Sequence, residues 1–84
     1  MSLLLTALAQ EDLQHWDNND QLIAATIRHV LGALEQGKTL PAQQMRRLKF
    51  RDIFLVSIKI APEHRLIFEA VGSDIIVHQC RFHY

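Results

Sequence analysis

The sequence predicts a single α+β domain in which two helices pack on a mainly antiparallel sheet. Apolar residues with helical spacing are confined to the first half of the chain, whereas β-branched and aromatic residues dominate from residue 53 onward. The chain has 84 residues, of which 49% are hydrophobic, enough for one core but short of the length at which chains divide. We therefore expect one domain over residues 1–84, with the element order β-α-α-β-β-β.

The first half is predicted to hold a short strand and two helices. Residues 3–5 form a buried strand, and residues 7–16 form a helix that Thr6 caps. The letters DNND at residues 17–20 predict a turn that also caps the next helix. That second helix ends at Gly37. Its apolar stripe, at spacings of three and four, consists of Leu22, Ile23, Ile27, Val30, Leu31 and Leu34.

The second half is predicted to hold a connector and a three-stranded meander. Residues 38–50 form the connector, in which Pro41 begins a short helical turn through AQQMRRL. The strands follow from residue 53, with breaks at APEH and GSD. Because alternate side chains of a strand point to opposite faces, the even positions predict the core face. They are Phe54, Val56, Ile58, Ile60, Leu66, Phe68, Ala70, Ile76, Cys80 and Phe82.

The opposite face is predicted to be apolar at one end and cationic at the other. Its apolar residues include Ile53, Leu55, Val71, Ile75 and Val77. With turns centred on residues 61–63 and 72–74, Lys59 lies opposite Arg65, and Arg65 lies opposite Arg81. Neighbouring cations repel unless an anion lies among them, so this end is either a site for a phosphate-sized anion or a solvated sheet face.

Charge and composition exclude several classes of protein. The net charge is zero, and all nine Lys and Arg residues lie in residues 28–84, which argues against a uniformly basic nucleic-acid binder. Cys80 is the only cysteine and shows no metal-ligand spacing with the histidines, so we expect no disulfide, metal or cofactor. Apolar runs are shorter than an export signal or membrane span requires, and we expect a cytoplasmic protein.

Several motifs together resemble a known family. The stretch EHRLIFEA at residues 63–70, with its His64-Arg65-Leu66 strand start, and the terminal CRFHY are similar to the YoeB/Txe branch of the RelE-type bacterial toxins. The stretch ALAQEDLQHW resembles the first helix of that branch, and Leu48-Lys49 matches its Leu-Lys loop. The resemblance covers the whole chain and implies a RelE-like fold.

The resemblance implies a ribosome-dependent endoribonuclease that cuts messenger RNA in the decoding site and inhibits translation. In that chemistry the 2′-hydroxyl attacks the adjacent phosphorus, and an acid protonates the departing 5′ oxygen. The matching positions make Arg65 the phosphate clamp and His83 the general acid, and Tyr84 stacks on a base or orients it. Lys49 and Lys59 match basic positions of the family site.

One position departs from the family pattern. Arg46 stands where the family has a carboxylate that acts as general base, and an arginine stays protonated. Three alternatives remain: Glu63 or another nearby acid is the base, electrostatic stabilisation alone supports slow cleavage, or catalysis is lost. Arg46 and Arg81 also join the expected substrate-binding cations.

The family resemblance also implies partners. They are a YefM-like antitoxin whose C-terminal segment wraps the toxin, the ribosome with its messenger RNA, and a second copy of the chain, since the family dimerises. The alternative function is a catalytically silent relative that binds antitoxin and acts in operon regulation. Trp16 is expected to be a core or interface aromatic, Cys80 a buried small hydrophobe, and His64 a turn residue.

Overall fold

The fold consists of two helices on one five-stranded sheet. The computed structural model of the chain describes residues 2–38, 45–50 and 53–81. The strands are β1 (Ser2–Leu5), β2 (Met45–Phe50), β3 (Ile53–Ala61), β4 (His64–Val71) and β5 (Asp74–Gln79), and the helices are α1 (Ala7–Asn19) and α2 (Gln21–Glu35). The predicted class is confirmed, with one strand more than the sequence predicted.

The sheet is antiparallel except at one edge. Its strand order is β1-β5-β4-β3-β2, and only β1 and β5 run parallel. The pairing of Leu5 with Val77 continues in Thr6, whose backbone N–H donates to the Val77 carbonyl at 3.1 Å. The beginning of the chain therefore lies against its last strand.

Both helices begin at side-chain caps. Thr6 Oγ1 accepts the Ala9 N–H at 3.2 Å, as predicted. Helix α1 runs on to Asn19, so the predicted turn at residues 17–20 is reduced to Asp20 alone. Asp20 closes α1 through its backbone N–H and caps α2 by accepting from the N–H groups of Leu22 and Ile23. Within the described residues, neither helix is long and apolar enough to cross a membrane.

Helix α2 supplies most of the helical part of the core. Ile27 is fully buried, and α2 ends as predicted before Gly37, whose φ of +71° suits a glycine. Leu22, however, is 82% exposed. It precedes Ile27 by five residues, which rotates it about 140° away from the buried stripe. The other buried residues of α2 are Ala24, Val30, Leu31, Ala33 and Leu34.

Strand β2 replaces part of the predicted connector. Residues 45–50 pair with β3 in a continuous antiparallel register, from Met45 opposite Ile58 to Phe50 opposite Ile53. The letters MRRLKF lack β-branched residues, so pairing with the open edge of β3, not intrinsic propensity, makes this segment a strand. The predicted helical turn is therefore wrong for residues 45–48. Its start at Pro41 lies outside the described residues.

The predicted face alternation holds in β3 and β4 but not in β5. Even-numbered Ile58 and Leu66 face the core, but in β5 it is odd-numbered Ile75 and Val77 that join it. A two-residue turn pairs Val71 with Asp74, so each even-numbered residue of β4 lies opposite an odd-numbered residue of β5. Side chains that lie opposite each other point to the same face of the sheet. Phe54 and Ala70 are exposed although they are even, and Phe82 lies outside the described residues.

A bulge near the end of β5 then restores the predicted register. Phe68 pairs with Val77, but Ile67 pairs with Gln79, which leaves His78 as the extra residue. Cys80 consequently faces the core and is 1% exposed. The bulge thus decides which side chains the end of the chain presents to each face.

Candidate functional site

A buried serine marks the centre of the sheet face that lies opposite the helices, here called the outer face. Ser57 is fully buried in the middle of β3, where it pairs with Arg46 of β2 on one side and Ile67 of β4 on the other. Its hydroxyl accepts the Nε–H of Arg65, and its carbonyl accepts an Nη2–H of the same guanidinium at 3.1 Å. Two bonds from one guanidinium to one residue fix the orientation of Arg65.

Three cations surround this serine, and we call Arg46, Lys59 and Arg65 the cation cluster. Lys59 lies directly opposite Arg65, which confirms the predicted register of β3 and β4. Burial and the positive charge of Arg46 lower the pKa of Arg65. The second of these causes indicates that the two guanidinium groups are close enough to repel each other.

The cation cluster has the chemistry of a phosphate site. A guanidinium presents a planar fork of N–H donors that matches two oxygens of a phosphate, and a second cation beside it adds to the attraction. Like charges on neighbouring strands destabilise a sheet, and an anion bound among them removes that cost. The outer face is therefore electrostatically suited to an anion at this end.

The other two predicted substrate-binding residues, Arg81 and Lys49, are not strand partners of the cation cluster. Arg81 follows β5 by two residues and is partly exposed; the strand ends at Gln79, so the predicted ladder pairing of Arg65 with Arg81 does not form. Lys49 pairs with Phe54, and its ammonium group lies 5.5 Å from the centre of that ring. Alternation along β2 puts Lys49 on the face opposite to Arg46, so the structure does not bring it to the cluster.

Of the residues predicted to act as acid or base, the structure describes Glu63 but not His83. Glu63 is exposed in the turn between β3 and β4, two residues before Arg65. His83 and Tyr84 lie outside the described residues. His64, predicted as a turn residue, is the first residue of β4, and its ring packs edge-on against Trp16 with centroids 4.6 Å apart.

The residue Cys80 is bonded to helix α1 by three contacts. Its backbone N–H donates to Asp12 Oδ2 at 3.1 Å, its carbonyl accepts the indole N–H of Trp16 at 2.9 Å, and its thiol lies 3.6 Å from the Ala9 carbonyl. Burial, and then the charge of Asp12, raise the pKa of the Cys80 thiol to about 12. The thiol is thus an inert, buried group, as predicted.

At the opposite end of the outer face, a histidine lies against a carboxylate. His78 Nε2 lies 3.0 Å from Glu69 Oε1, and both side chains are partly buried. In the described part of the chain, no three His, Cys, Asp or Glu residues are grouped as a metal site.

Sequence reasoning missed Ser57, Asp12 and the orienting contacts that they make. The signal for Ser57 was a single hydroxyl within the otherwise apolar strand IFLVSIKIA, where a buried polar group requires a partner. Asp12 carried no comparable signal, because an acid in a helix is normally a solvated one.

Solved structures share this fold across its full length. The chain superimposes on a YoeB/ParE toxin from Agrobacterium tumefaciens with a TM-score of 0.84 and 28% identity, and each chain is covered completely. A YoeB dimer from Staphylococcus aureus matches with a TM-score of 0.83 and 24% identity over 100% of this chain and 98% of that one. A chain of the E. coli DinJ–YafQ complex shares the fold at 12% identity, with a TM-score of 0.81 and coverage of 98% and 92%.

The full-length fold match places the chain among the small toxins of the RelE type. The model of the YoeB-like toxins of bacterial type II toxin-antitoxin systems matches residues 5–84, and the chain belongs to that family. No curated protein sequence matches it significantly. Among the relatives, the S. aureus protein is known as a dimer and as a heterotetrameric YoeB–YefM complex.

Proposed function

We propose that this toxin is a ribosome-dependent endoribonuclease that cleaves messenger RNA in the decoding site and thereby inhibits translation. The observation that carries the proposal is the fixed orientation of Arg65 on the buried Ser57, beside Arg46 and Lys59. A preorganised guanidinium aimed at developing negative charge is the main requirement for stabilising a phosphoryl transition state. Family membership supports the same reaction class.

The proposed reaction uses the 2′-hydroxyl of the RNA as nucleophile. Its oxygen forms a bond to the adjacent phosphorus, and the bond to the 5′ oxygen breaks. Arg65 stabilises the charge on the non-bridging oxygens, with Lys59, Arg46 and Arg81 holding the backbone. His83 gives a proton to the departing 5′ oxygen, and Tyr84 stacks on or orients a base. Lys49 contributes as a further RNA-binding cation if the message extends past the edge of β2.

The reaction also needs a base that receives the 2′-hydroxyl proton. Arg46 cannot accept a proton, and its side chain lies close to Arg65, where it adds positive charge. Glu63 is the proposed base, since it is exposed two residues before Arg65. General base catalysis is worth about 10²–10⁴-fold, so weak basicity here attenuates the enzyme without abolishing its electrostatic catalysis.

The proposed partners follow the relatives. We propose that residues 1–84 form one toxin domain, that it acts in the cytoplasm, and that a YefM-like antitoxin neutralises it. The charge of the cation cluster suits an acidic antitoxin segment as well as RNA. Exposed apolar residues of the sheet, such as Phe54 of β3 at 62%, offer surface for the antitoxin or for a second toxin copy.

The test is a translation mixture to which the purified toxin is added, followed by mapping of the new 5′ ends of the message. We expect cuts in register with the decoding site. Arg65→Ala should lower the cleavage rate by about 10²–10³-fold and His83→Ala by about 10²–10⁴-fold. Arg28→Ala is the matched control, because Arg28 is an exposed arginine of α2 and is bonded to Asp17. It should cleave like the wild type.

The second candidate function is a silent relative that binds antitoxin and regulates its operon, and Arg46 is the observation that favours it. The variant Arg46→Glu separates the two, because it restores a carboxylate at the family position. We expect it to raise the cleavage rate by up to about 10²-fold. Uncut message from a folded wild-type protein that still binds antitoxin would establish the regulatory function instead.

A further inference from the structure

A buried set of hydrogen bonds joins α1 to the chain where the sheet ladder stops. Strand β5 ends at Gln79, and the next residue, Cys80, has its N–H bonded to Asp12 and its carbonyl bonded to Trp16. These two groups belong to the peptide units on either side of the Cys80 Cα atom. Fixing both units fixes φ and ψ of Cys80, and hence the direction in which the chain continues to Arg81.

The same indole also contacts the strand that carries the phosphate clamp. The Trp16 ring packs edge-on against His64 at an interplanar angle of 79°. His64 precedes Arg65, and alternation along β4 directs these two side chains to opposite faces of the sheet. Trp16 therefore touches, from behind the sheet, the residue that precedes each of the two arginines Arg65 and Arg81.

The residue that accepts the Cys80 N–H, Asp12, is of a type that is seldom buried. Asp12 is only 8% exposed, although α1 has polar, solvent-facing positions on its other side. Burying a carboxylate is costly even when it is hydrogen-bonded, and an apolar residue of similar size packs a helix at least as well. What an apolar residue lacks is a directional acceptor for the Cys80 N–H.

We infer that Asp12 and Trp16 are positioning residues, which act through Cys80 and His64 to set the placement of Arg81 and Arg65 around the bound phosphate. The inference rests on the proposed function of the cation cluster as a phosphate site. It assigns α1 a part in catalysis although none of its residues lies on the outer face. A displacement of about 1 Å at a reacting group can cost about 10²-fold in rate.

The first test is a steady-state comparison of kcat and KM in the ribosome-dependent cleavage assay. Asp12→Ala removes the acceptor, and Trp16→Phe removes the indole N–H while it keeps a ring against His64. Both should lower kcat by roughly 10–100-fold and raise KM by no more than about fivefold, since the message and the ribosome make further contacts. Asp12→Asn keeps an oxygen acceptor and the shape of the side chain and should restore most of the rate, which a role of the negative charge would not allow. Packing alone is tested by the control variant below.

The matched control is Val30→Ala. Val30 is a buried core residue of α2, 6% exposed, and the hydrogen bonds to the Cys80 backbone come from Asp12 and Trp16 of α1 instead. This variant should be destabilised towards urea yet cleave with the wild-type kcat at a temperature where it is folded. If Asp12→Ala and Trp16→Phe also kept the wild-type kcat, or if Asp12→Asn were as slow as Asp12→Ala, the positioning role would be overturned.

A ribosome-free measurement separates this inference from the nuclease proposal. Inorganic phosphate is titrated into isotopically labelled protein, and the Nε–H signals of Arg65 and Arg81 are followed by NMR. Trp16→Phe should bind phosphate at least about fivefold more weakly than the wild type and Val30→Ala. Equal affinity in all three proteins would overturn the inference even if the wild type cleaves, and weakened binding would support it even if the wild type does not.

Discussion

The two helices are attached to the sheet by different kinds of contact. Helix α2 buries six apolar residues, whereas α1 buries Ala9, Asp12 and Trp16, and the side chains of the last two form hydrogen bonds with the Cys80 backbone. Apolar packing is non-directional and contributes in proportion to the area buried, while a hydrogen bond requires a defined distance and angle. Helix α2 therefore contributes mainly stability, whereas α1 fixes the direction of the backbone at Cys80.

Substitutions in α1 and in α2 should have different effects. A smaller residue in α2 leaves a cavity under the sheet but no unsatisfied polar group, so the remaining folded molecules keep the geometry of the outer face. A substitution in α1 releases the peptide units next to Arg81 even if the fold persists. Stability and activity should therefore respond separately to changes in the two helices.

The largest expected effect on stability comes from Ile27→Ala in α2. Ile27 is fully buried where the helix meets the sheet, so the loss of its side chain removes buried area and opens a cavity. We expect the free energy of unfolding to fall by about 2–5 kcal/mol, measured by urea denaturation.

Leu22→Ala is the matched control on the same helix. Leu22 is 82% exposed, and its replacement should change the free energy of unfolding by no more than about 0.5 kcal/mol. A loss at Leu22 as large as that at Ile27 would show that another surface covers the exposed side of α2 in solution.

A smaller effect is expected at the junction of the helices. Asp20 accepts hydrogen bonds from Leu22 and Ile23 at 3.1 and 3.2 Å, and it is the single residue between α1 and α2. Asp20→Ala should cost about 0.5–2 kcal/mol in urea denaturation, because two N–H groups of α2 lose their partner.

Asp20→Asn tests the cause of that loss. Its amide oxygen can accept the same bonds, so most of the stability should remain. If Asn were as damaging as Ala, the charge of Asp20 rather than its capping bonds would be responsible.

Elements that depend on neighbouring residues could be predicted from the sequence, whereas elements that depend on distant partners could not. Helix α2 and the caps at Thr6 and Gly37 were predictable, because spacing and cap chemistry are properties of neighbouring residues. Strand β2 was not, since the letters MRRLKF carry no strand preference and become a strand by pairing with β3.

The face alternation failed in β5 for a geometric reason. A two-residue turn at Gly72, whose φ is +60°, shifts the parity of β5 by one, and the bulge at His78 shifts it back. Either device reverses every side chain beyond it. Gly72-Ser73 is typical of a two-residue turn, but the bulge at His78 has no comparable sequence signal. Ile75 and Val77 are therefore core residues and need no partner to cover them.

The candidate site was predictable in its charges but not in its supports. The opposition of Lys59 and Arg65 followed from the turn between β3 and β4, and the structure confirms it. The bonds from Cys80 to α1 join residues that are distant in the sequence, so no local pattern contains them. The bonds from Arg65 to Ser57 run diagonally across the β3–β4 hairpin, and strand pairing alone does not predict them. The roles of His83 and Tyr84 stay predictions, because both residues lie outside the described ones.

The smallest expected effect is the ion pair that links the two helices at the surface. The Arg28 guanidinium donates to both carboxylate oxygens of Asp17, at 2.6 and 2.7 Å. The hydrogen bond from Arg28 lowers the pKa of Asp17 below its ordinary value, and the charge of Arg28 adds to it. Both side chains are well exposed, so solvent and salt screen the pair and its contribution is small.

The sign of its pH dependence follows from linkage. Because the pKa of Asp17 is lower in the folded state, the pair stabilises the fold above the unfolded-state pKa, and this stabilisation is lost as the pH falls through the folded-state pKa. Arg28→Gln should therefore lower the urea midpoint slightly at about pH 7 and not at all at about pH 2. Adding about 1 M salt at neutral pH should shrink the difference. A midpoint difference that persists at low pH would show that Arg28 acts through packing of its aliphatic stem, so that apolar contact rather than charge joins the two helices at this point.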